Sequence, residues 1–381
     1  MEGRLQLIVF ADDWGRHPSS AQHLVRHLLP QHPTLWVNTI GMRAPKLTLE
    51  DVGKIAVKLR QWVLPRDYTR ALPENLSVLN PRMYPGYRNR WQRFYNRRSV
   101  ARAIARELGP REAGVSRVVV TTLPTTADLV GHIDADRWVY YCVDDFSVWP
   151  GVDGDVMDAL ERQLVRHSDR QVAVSETLQN RLAAFGGKAT LLTHGIDLEH
   201  WAADDIVGRQ AFDWWPAGNG PVLLFWGVVD RRLDVEWCLR LSEEIGVLVL
   251  VGPHQSPDPR LLGHPKIVLP GPVPFEQLVG LAARADLLVM PYRDAPVTRA
   301  MQPLKLKEYL ATGRPGLVRD LPATRDWSDA VDVVASADRA IELARHRIRE
   351  GTSKSQRDAR MRLLGESWES KASAFASLIR R

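Results

Sequence analysis

A chain of 381 residues exceeds the size at which a single hydrophobic core usually divides, and its 45% apolar and 25% charged residues exclude a disordered or low-complexity polypeptide. The formal charge of +6 points to an anionic partner without choosing among nucleotide, phospholipid and nucleic acid. Its two cysteines, Cys142 and Cys238, each lie in an apolar run, which fits a reducing compartment and excludes a disulfide framework or a cysteine-rich zinc site.

The amino terminus runs into Leu5 to Phe10, an apolar stretch too short for a signal peptide, and no run approaches the length of a membrane span; the expectation is a cytoplasmic protein. Strand-like runs then alternate with helical patterns: Leu5 to Ala11, Thr34 to Asn38, Leu76 to Asn80, Arg117 to Thr122, Trp138 to Val143, Gln171 to Ser175 and Ala189 to His194. Near-continuous Val, Ile and Leu in several of them argues for strands buried on both faces, as in a parallel sheet with crossover helices. Asp13 follows the first run, and Asp144 and Asp145 follow the fifth, so carboxylates stand at strand ends.

Before the fourth run comes a basic, aromatic segment of helical pattern. Arg88, Arg90, Arg93, Arg97, Arg98, Arg102 and Arg106 are interleaved with Trp91, Phe94 and Tyr95, with no acid until Glu107. Two readings stay open: a solvated helix face, or a peripheral contact with the inner face of the cytoplasmic membrane. Nucleic-acid binding is the rival from another class, and no recognisable nucleic-acid module supports it.

The alternation stops across Trp201 to Gly220, which reads as an interdomain connection, and then resumes. The second series is Pro221 to Gly227, Val247 to Gly252, Lys266 to Pro270, Leu287 to Tyr292, Gly316 to Arg319 and Val331 to Val334, followed by a helical pattern from Ser353 to Leu378. The expected division is therefore 1–200, a linker at 201–220, 221–352, and a carboxy-terminal helix at 353–381 returning to the first domain. Two open α/β sheets in tandem put a cleft between domains, and ligands bind outside the carboxyl ends of such strands. No internal repeat is read beyond this doubling.

The most informative stretch is Met290-Pro-Tyr292-Arg followed by Met301-Gln302-Pro303-Leu304-Lys305-Leu-Lys307-Glu308-Tyr-Leu-Ala-Thr-Gly313-Arg-Pro315. A strand ends at Tyr292, and a helix begins with Pro303 at its first turn and ends at Gly313. Free N–H groups and the helix dipole at such an N-terminus suit a diphosphate, and Lys305 or Lys307 adds a full positive charge. Glu308, about a turn further on, has the acceptor oxygens for two hydrogen bonds from a ribose diol.

This stretch resembles the nucleotide-binding half of GT-B glycosyltransferases, especially the large retaining family 4 group and its relatives in polysaccharide synthesis. The resemblance implies an α/β fold of two Rossmann-like domains facing a cleft, with Glu308 on the nucleotide ribose. Where that family usually carries a second glutamate near the transferred sugar, this chain has Ala300; in this it resembles the inverting glucuronosyltransferases of exopolysaccharide assembly, where the pattern is also loosened. Phe225-Trp-Gly227-Val-Val-Asp-Arg231-Arg232-Leu-Asp234 looks like the first strand and loop of the donor domain, where glycine admits the pyrophosphate and Arg231 and Arg232 neutralise it; Val228 replaces a basic residue of many relatives. Leu269-Pro-Gly-Pro272-Val273-Pro274 resembles the loop that frames the base, with Phe275 and Leu278 nearby. Val174-Ser-Glu-Thr-Leu178 and His194-Gly-Ile-Asp197 look like two further landmarks of the first domain.

What the resemblance implies is transfer of a sugar from a nucleoside diphosphate sugar, UDP-linked by preference, to a glycan or polyprenyl-diphosphate-linked acceptor of surface polysaccharide. An inverting transfer needs a carboxylate to take the acceptor's proton, with Asp144 first in line, then Asp145 and Asp13. No cofactor and no metal are expected: the histidine spacings match no zinc motif, and Asp134-Ala-Asp136 precedes a strand rather than following one. The absence of Gly-x-Gly-x-x-Gly and Walker sequences removes support for dinucleotide redox chemistry and ATP hydrolysis. The other readings are a GT-B-fold sugar-nucleotide epimerase and a non-catalytic binding protein.

Overall fold

The structure is a computed structural model that describes residues 4–15, 19–39, 72–84, 86–149, 151–201 and 212–380. The chain divides into two compact units, Met1–Thr193 with Lys371–Arg381, and His194–Ser370. Of the expected linker, 202–211 lies outside the described residues.

Unit 1 is built on seven parallel strands, β1 (Arg4–Ala11), β2 (Thr34–Asn38), β3 (Leu76–Leu79), β4 (Val115–Thr121), β5 (Arg137–Cys142), β6 (Arg170–Ala173) and β7 (Ala189–Leu191), in the order β3-β2-β1-β4-β5-β6-β7. Leu7 to Phe10 of β1 and all of β2 are buried, as expected for strands covered on both faces. Covering helices are set by ordinary caps: the Ser19 hydroxyl accepts from Gln22 N–H at the start of Ser20–Leu28, and Asp153 accepts from Val156 N–H at the start of Gly154–His167. The basic segment forms the nineteen-residue helix Arg90–Leu108, which buries Asn96, Val100 and Ile104 at a four-residue spacing.

Unit 2 has six parallel strands, β8 (Val222–Trp226), β10 (Val247–Val251), β12 (Ile267–Gly271), β13 (Leu287–Met290), β14 (Gly316–Arg319) and β15 (Asp332–Val334), in the order β12-β10-β8-β13-β14-β15. A two-stranded pair, β9 (Val229–Asp230) with β11 (His254–Gln255), extends the loops after β8 and β10. In both units the order reverses beside the first strand, between β1 and β4 and between β8 and β13, which are the positions where doubly wound sheets open a crevice at the strands' carboxyl ends.

The segment read as one helix from Ser353 to Leu378 is three: Lys354–Arg360, a 3₁₀ turn Met361–Gly365, and Trp368–Arg380. The break has a tertiary cause, because Glu366 O accepts from Ile196 N–H at 2.9 Å, Ile196 O accepts from Trp368 N–H at 3.2 Å, and Ser367 bridges Ile196 in the manner of a strand. From Lys371 the last helix belongs to unit 1, where Phe375 packs on Tyr141 at 5.4 Å and Ile379 O accepts from the Arg137 guanidinium at 2.7 Å. Among the described residues no helix is long and apolar enough to cross a membrane.

Candidate functional site

The switch point of unit 2 collects the residues singled out around Pro303. β8 ends at Trp226, and Gly227 then adopts φ 139°, a left-handed conformation that glycine alone takes without strain. A Cβ at Gly227 would lie 2.8 Å from both Cε and Nζ of Lys305, and one at Gly252, after β10, would lie 2.0 Å from the Gly227 carbonyl. The two glycines let adjacent strand ends and the lysine close on one another.

Lys305 lies in the first turn of the helix Leu304–Ala311, and its Nζ donates to the Tyr292 hydroxyl at 2.5 Å while sitting 5.0 Å from the Tyr292 ring centre and 5.3 Å from that of Phe225. Glu308, one turn on, accepts from the Trp226 indole N–H at 2.8 Å. Burial pushes the Glu308 carboxyl up from its ordinary range, and the Trp226 N–H and the Lys305 charge pull it back. Trp226 stacks on Trp201 at 5.3 Å and meets Tyr309 edge-on at 4.3 Å; Phe275 stacks on His200 at 4.4 Å and meets Trp201 edge-on. An aromatic wall thus runs from the loop after β12 to Glu308. Of that loop, Pro272 is exposed and Val273 half-buried. The wall also holds a buried His200 Nε2 without a hydrogen-bond partner among the described residues.

Pro303 caps the helix from the residue before its first turn, one position earlier than the sequence pattern suggests. Met301 is buried with its sulfur 3.8 Å from the Arg232 guanidinium, and Gln302 is only 8% exposed with its Oε1 unpartnered among the described residues. A buried amide oxygen lacking a donor beside a helix start is an open acceptor for a ligand hydroxyl.

Two of the proposed phosphate cations are committed elsewhere. Lys307 is buried, paired with Glu366 and donating to His194 O, because it projects from the opposite side of the helix to Lys305. Arg232 is paired with Asp230, two residues before it, at 2.9 Å. Arg231 is exposed and forms no ion pair among the described residues.

In unit 1, Asp13 and Asp144 are half-buried beyond the carboxyl ends of β1 and β5, strands that flank β4. Asp145 has a structural assignment: it caps the turn Phe146–Val148 by accepting from Ser147 N–H at 3.0 Å and Oγ at 2.6 Å, and it pairs with Arg181 at 3.1 Å. A carboxylate held on both oxygens is poorly placed to take a proton. Asp134 and Asp136 are bound by Arg111 at 2.6 Å each, with Arg117 also on Asp134.

Sequence reasoning missed two constellations. Arg181 also reaches Glu161 at 2.8 Å and Asp158 at 2.7 Å, and Glu161 accepts from the Tyr140 hydroxyl at 2.6 Å. Burial pushes the Glu161 carboxyl up, against the pull of Tyr140 and Arg181. The second is a repeat that corrects the expectation of none: Arg293-Asp-Ala-Pro-Val-Thr-Arg299 after β13 and Arg319-Asp-Leu-Pro-Ala-Thr-Arg325 after β14. In each, the threonine hydroxyl accepts from the residue before the proline, Ala295 N–H at 3.0 Å and Leu321 N–H at 2.9 Å, and the last arginine pairs with the aspartate. The two short helices pack side by side. The recurrence of a seven-residue pattern with identical Arg, Asp, Pro, Thr and Arg was the available signal.

No family model matches the chain. Among curated proteins it is 26% identical over 237 residues to the "Putative teichuronic acid biosynthesis glycosyltransferase TuaH" of Bacillus subtilis (strain 168), covering 57% of this chain and 59% of that protein. The match thus spans less than two thirds of that relative's length. Among solved structures it is similar to a sucrose-phosphate synthase from Thermosynechococcus elongatus, with a TM-score of 0.71 at 16% identity over 99% of this chain and 98% of that one. It is also similar to Anabaena HepE in complex with UDP, with a TM-score of 0.58 at 13% identity over 99% and 95% of the two chains. An Escherichia coli trehalose-6-phosphate structure bound with UDP-2-fluoro glucose gives 0.65 at 11% identity over 99% of each. The chain has the GT-B fold shared by these structures.

Proposed function

We propose that this GT-B protein is a glycosyltransferase that moves a sugar from a nucleoside diphosphate sugar, UDP-linked by preference, to a glycan or polyprenyl-diphosphate-linked acceptor in surface polysaccharide assembly. The observation that carries the reading is the convergence of Gly227, Tyr292, Lys305 and Glu308 at the switch point of unit 2. The glycine leaves room for a diphosphate, Lys305 neutralises it, and Glu308 receives the ribose hydroxyls once they displace the Trp226 N–H or share its carboxylate. UDP in the HepE structure, UDP-2-fluoro glucose in the Escherichia coli structure, and teichuronic acid biosynthesis in the name of the Bacillus subtilis relative agree with this assignment.

In the reaction, an acceptor hydroxyl oxygen forms a bond to the anomeric carbon as the bond from that carbon to the phosphate oxygen breaks, and the electron pair leaves with the nucleoside diphosphate. The hydroxyl proton goes to a carboxylate. Asp144 keeps that role in the reading and Asp13 is the reserve, Asp145 being held by Ser147 and Arg181. Developing charge on the diphosphate is met by Lys305, Arg231 and the N-terminus of the helix Leu304–Ala311, without a metal ion in the reading. Peripheral membrane contact through Arg88 to Arg106 belongs to the same reading, since a polyprenyl-linked acceptor resides at a membrane.

Calorimetric titration with UDP and GDP, with and without magnesium, tests the proposal. Binding of one nucleotide at equal affinity in both conditions, abolished by Glu308→Ala, is the expected result; absence of binding to either would remove the donor site from Pro303 to Glu308.

A further inference from the structure

We propose that the outward face of the helix Arg90–Leu108 docks this protein on an anionic lipid bilayer, with Trp91, Phe94 and Tyr95 entering the interface and Arg98, Arg102 and Arg106 set against headgroup phosphates. The inference names the surface for the peripheral contact in the transferase reading, and vesicle binding itself does not depend on that reading.

Helical spacing puts residues 91, 94, 95, 98, 102 and 106 on one face, opposite the buried Asn96, Val100 and Ile104. The aromatic end of that face is unusually open: Trp91 is 61% exposed, Phe94 52% and Tyr95 42%, and Tyr84 of the preceding loop, 40% exposed, meets Trp91 edge-on at 5.2 Å. Large aromatic rings gathered in water are what an interface partner covers. Further along the same face the exposed side chains are Arg98, Arg102 and Arg106 with Ala105 between them, and the helix carries six arginines against the single acid Glu107. A solvated surface helix ordinarily mixes the two signs; a one-sided row of cations with an aromatic end matches an anionic surface that also offers an apolar layer.

Arg93 lies on the opposite side of the helix, with the buried residues. Its guanidinium turns inward and binds Asp128 through two hydrogen bonds of 2.5 and 2.7 Å, fixing the helix to the body of unit 1. The inner side of the helix also lines a cavity at the carboxyl ends of β1 and β4, with Arg93, Asn96 and Val100 facing Phe10 and Thr125. One helix thus carries the proposed lipid contact outside and a cavity wall inside. Single-stranded nucleic acid is the rival occupant; Trp91 and Tyr95 stack on each other at 6.1 Å, so a base would have only their outer faces.

The test is flotation of the full chain with phosphatidylcholine vesicles, with and without phosphatidylglycerol, at low and near-physiological salt. The expected result is association with the phosphatidylglycerol vesicles alone, weakened at least about tenfold in a Trp91→Ser, Phe94→Ser variant and also in an Arg98→Gln, Arg102→Gln, Arg106→Gln variant. Both variants should melt with wild type and bind UDP as wild type does, which separates this surface from the donor site. Failure of wild type to float, wild-type association by the aromatic variant, or tighter binding to a single-stranded oligonucleotide than to vesicles would each overturn the proposal.

Discussion

Lys305 is held by two aromatic rings and a hydroxyl, yet among the described residues no carboxylate pairs with it directly, and this leaves its charge available to a ligand. Lys305→Ala should therefore weaken UDP binding by about 10- to 100-fold, the loss expected for one charge-assisted contact, with little change in thermal stability. Equal affinity in titration would show that the diphosphate sits elsewhere. Gly227→Ala should act on both properties: φ 139° strains any other residue by about 1–3 kcal/mol, and the added methyl displaces the lysine, so urea denaturation and UDP titration should both record a loss. Glu308 carries a pH signature. Burial raises its carboxyl in the folded state, so its contribution to stability is full below the unfolded value and is lost as pH rises through the folded one. Ligand binding runs the other way, because ribose hydroxyls donate to the ionised form. Affinity for a UDP-sugar should climb with pH across that window, and Glu308→Gln should flatten the profile; the same slope in both proteins would separate Glu308 from the ribose.

At the scale of elements, the ties that hold loops after strands come from distant helices. Arg181, on the helix Glu176–Ala184, binds Asp145, Asp158 and Glu161 together. Replacing it with Met leaves a buried carboxylate unpaired, and about 3–5 kcal/mol of stability should be lost in urea denaturation, part of it regained by adding Glu161→Gln. The twin loops make a matched prediction. Thr298→Val and Thr324→Val remove the same hydroxyl from the same turn and should cost alike, about 1–2 kcal/mol each. These cases also show where the sequence is legible. The helix from Pro303 to Gly313 was readable because proline, glycine and apolar period are local signals, and the strand alternation was readable for the same reason. The fates of Lys307 and Asp145 were hidden, since Glu366 and Arg181 lie far along the chain and only the fold brings them near. Arg232 could have been read as paired, its partner Asp230 being two residues away.

At the scale of the whole molecule, unit 2 is one run of sequence, His194–Ser370, but unit 1 is not. Unit 1 needs Lys371–Arg381, whose helix buries Phe375 and Ile379 and holds Arg137. A fragment of residues 1–193 should therefore be less stable than the intact unit, and a peptide spanning residues 368–381 added in trans should raise its melting temperature in a concentration-dependent way. A fragment that melts unchanged with or without the peptide would show the last helix to be dispensable.

The return of those residues has a temporal side. A polypeptide leaves the ribosome from its amino terminus, and domains generally fold as they emerge. Here the seven strands of unit 1 are synthesised first, while the helix that covers Tyr141 follows the whole of unit 2. The unit that is made first is the last to be finished, and until then its Tyr141 side waits uncovered in the nascent chain.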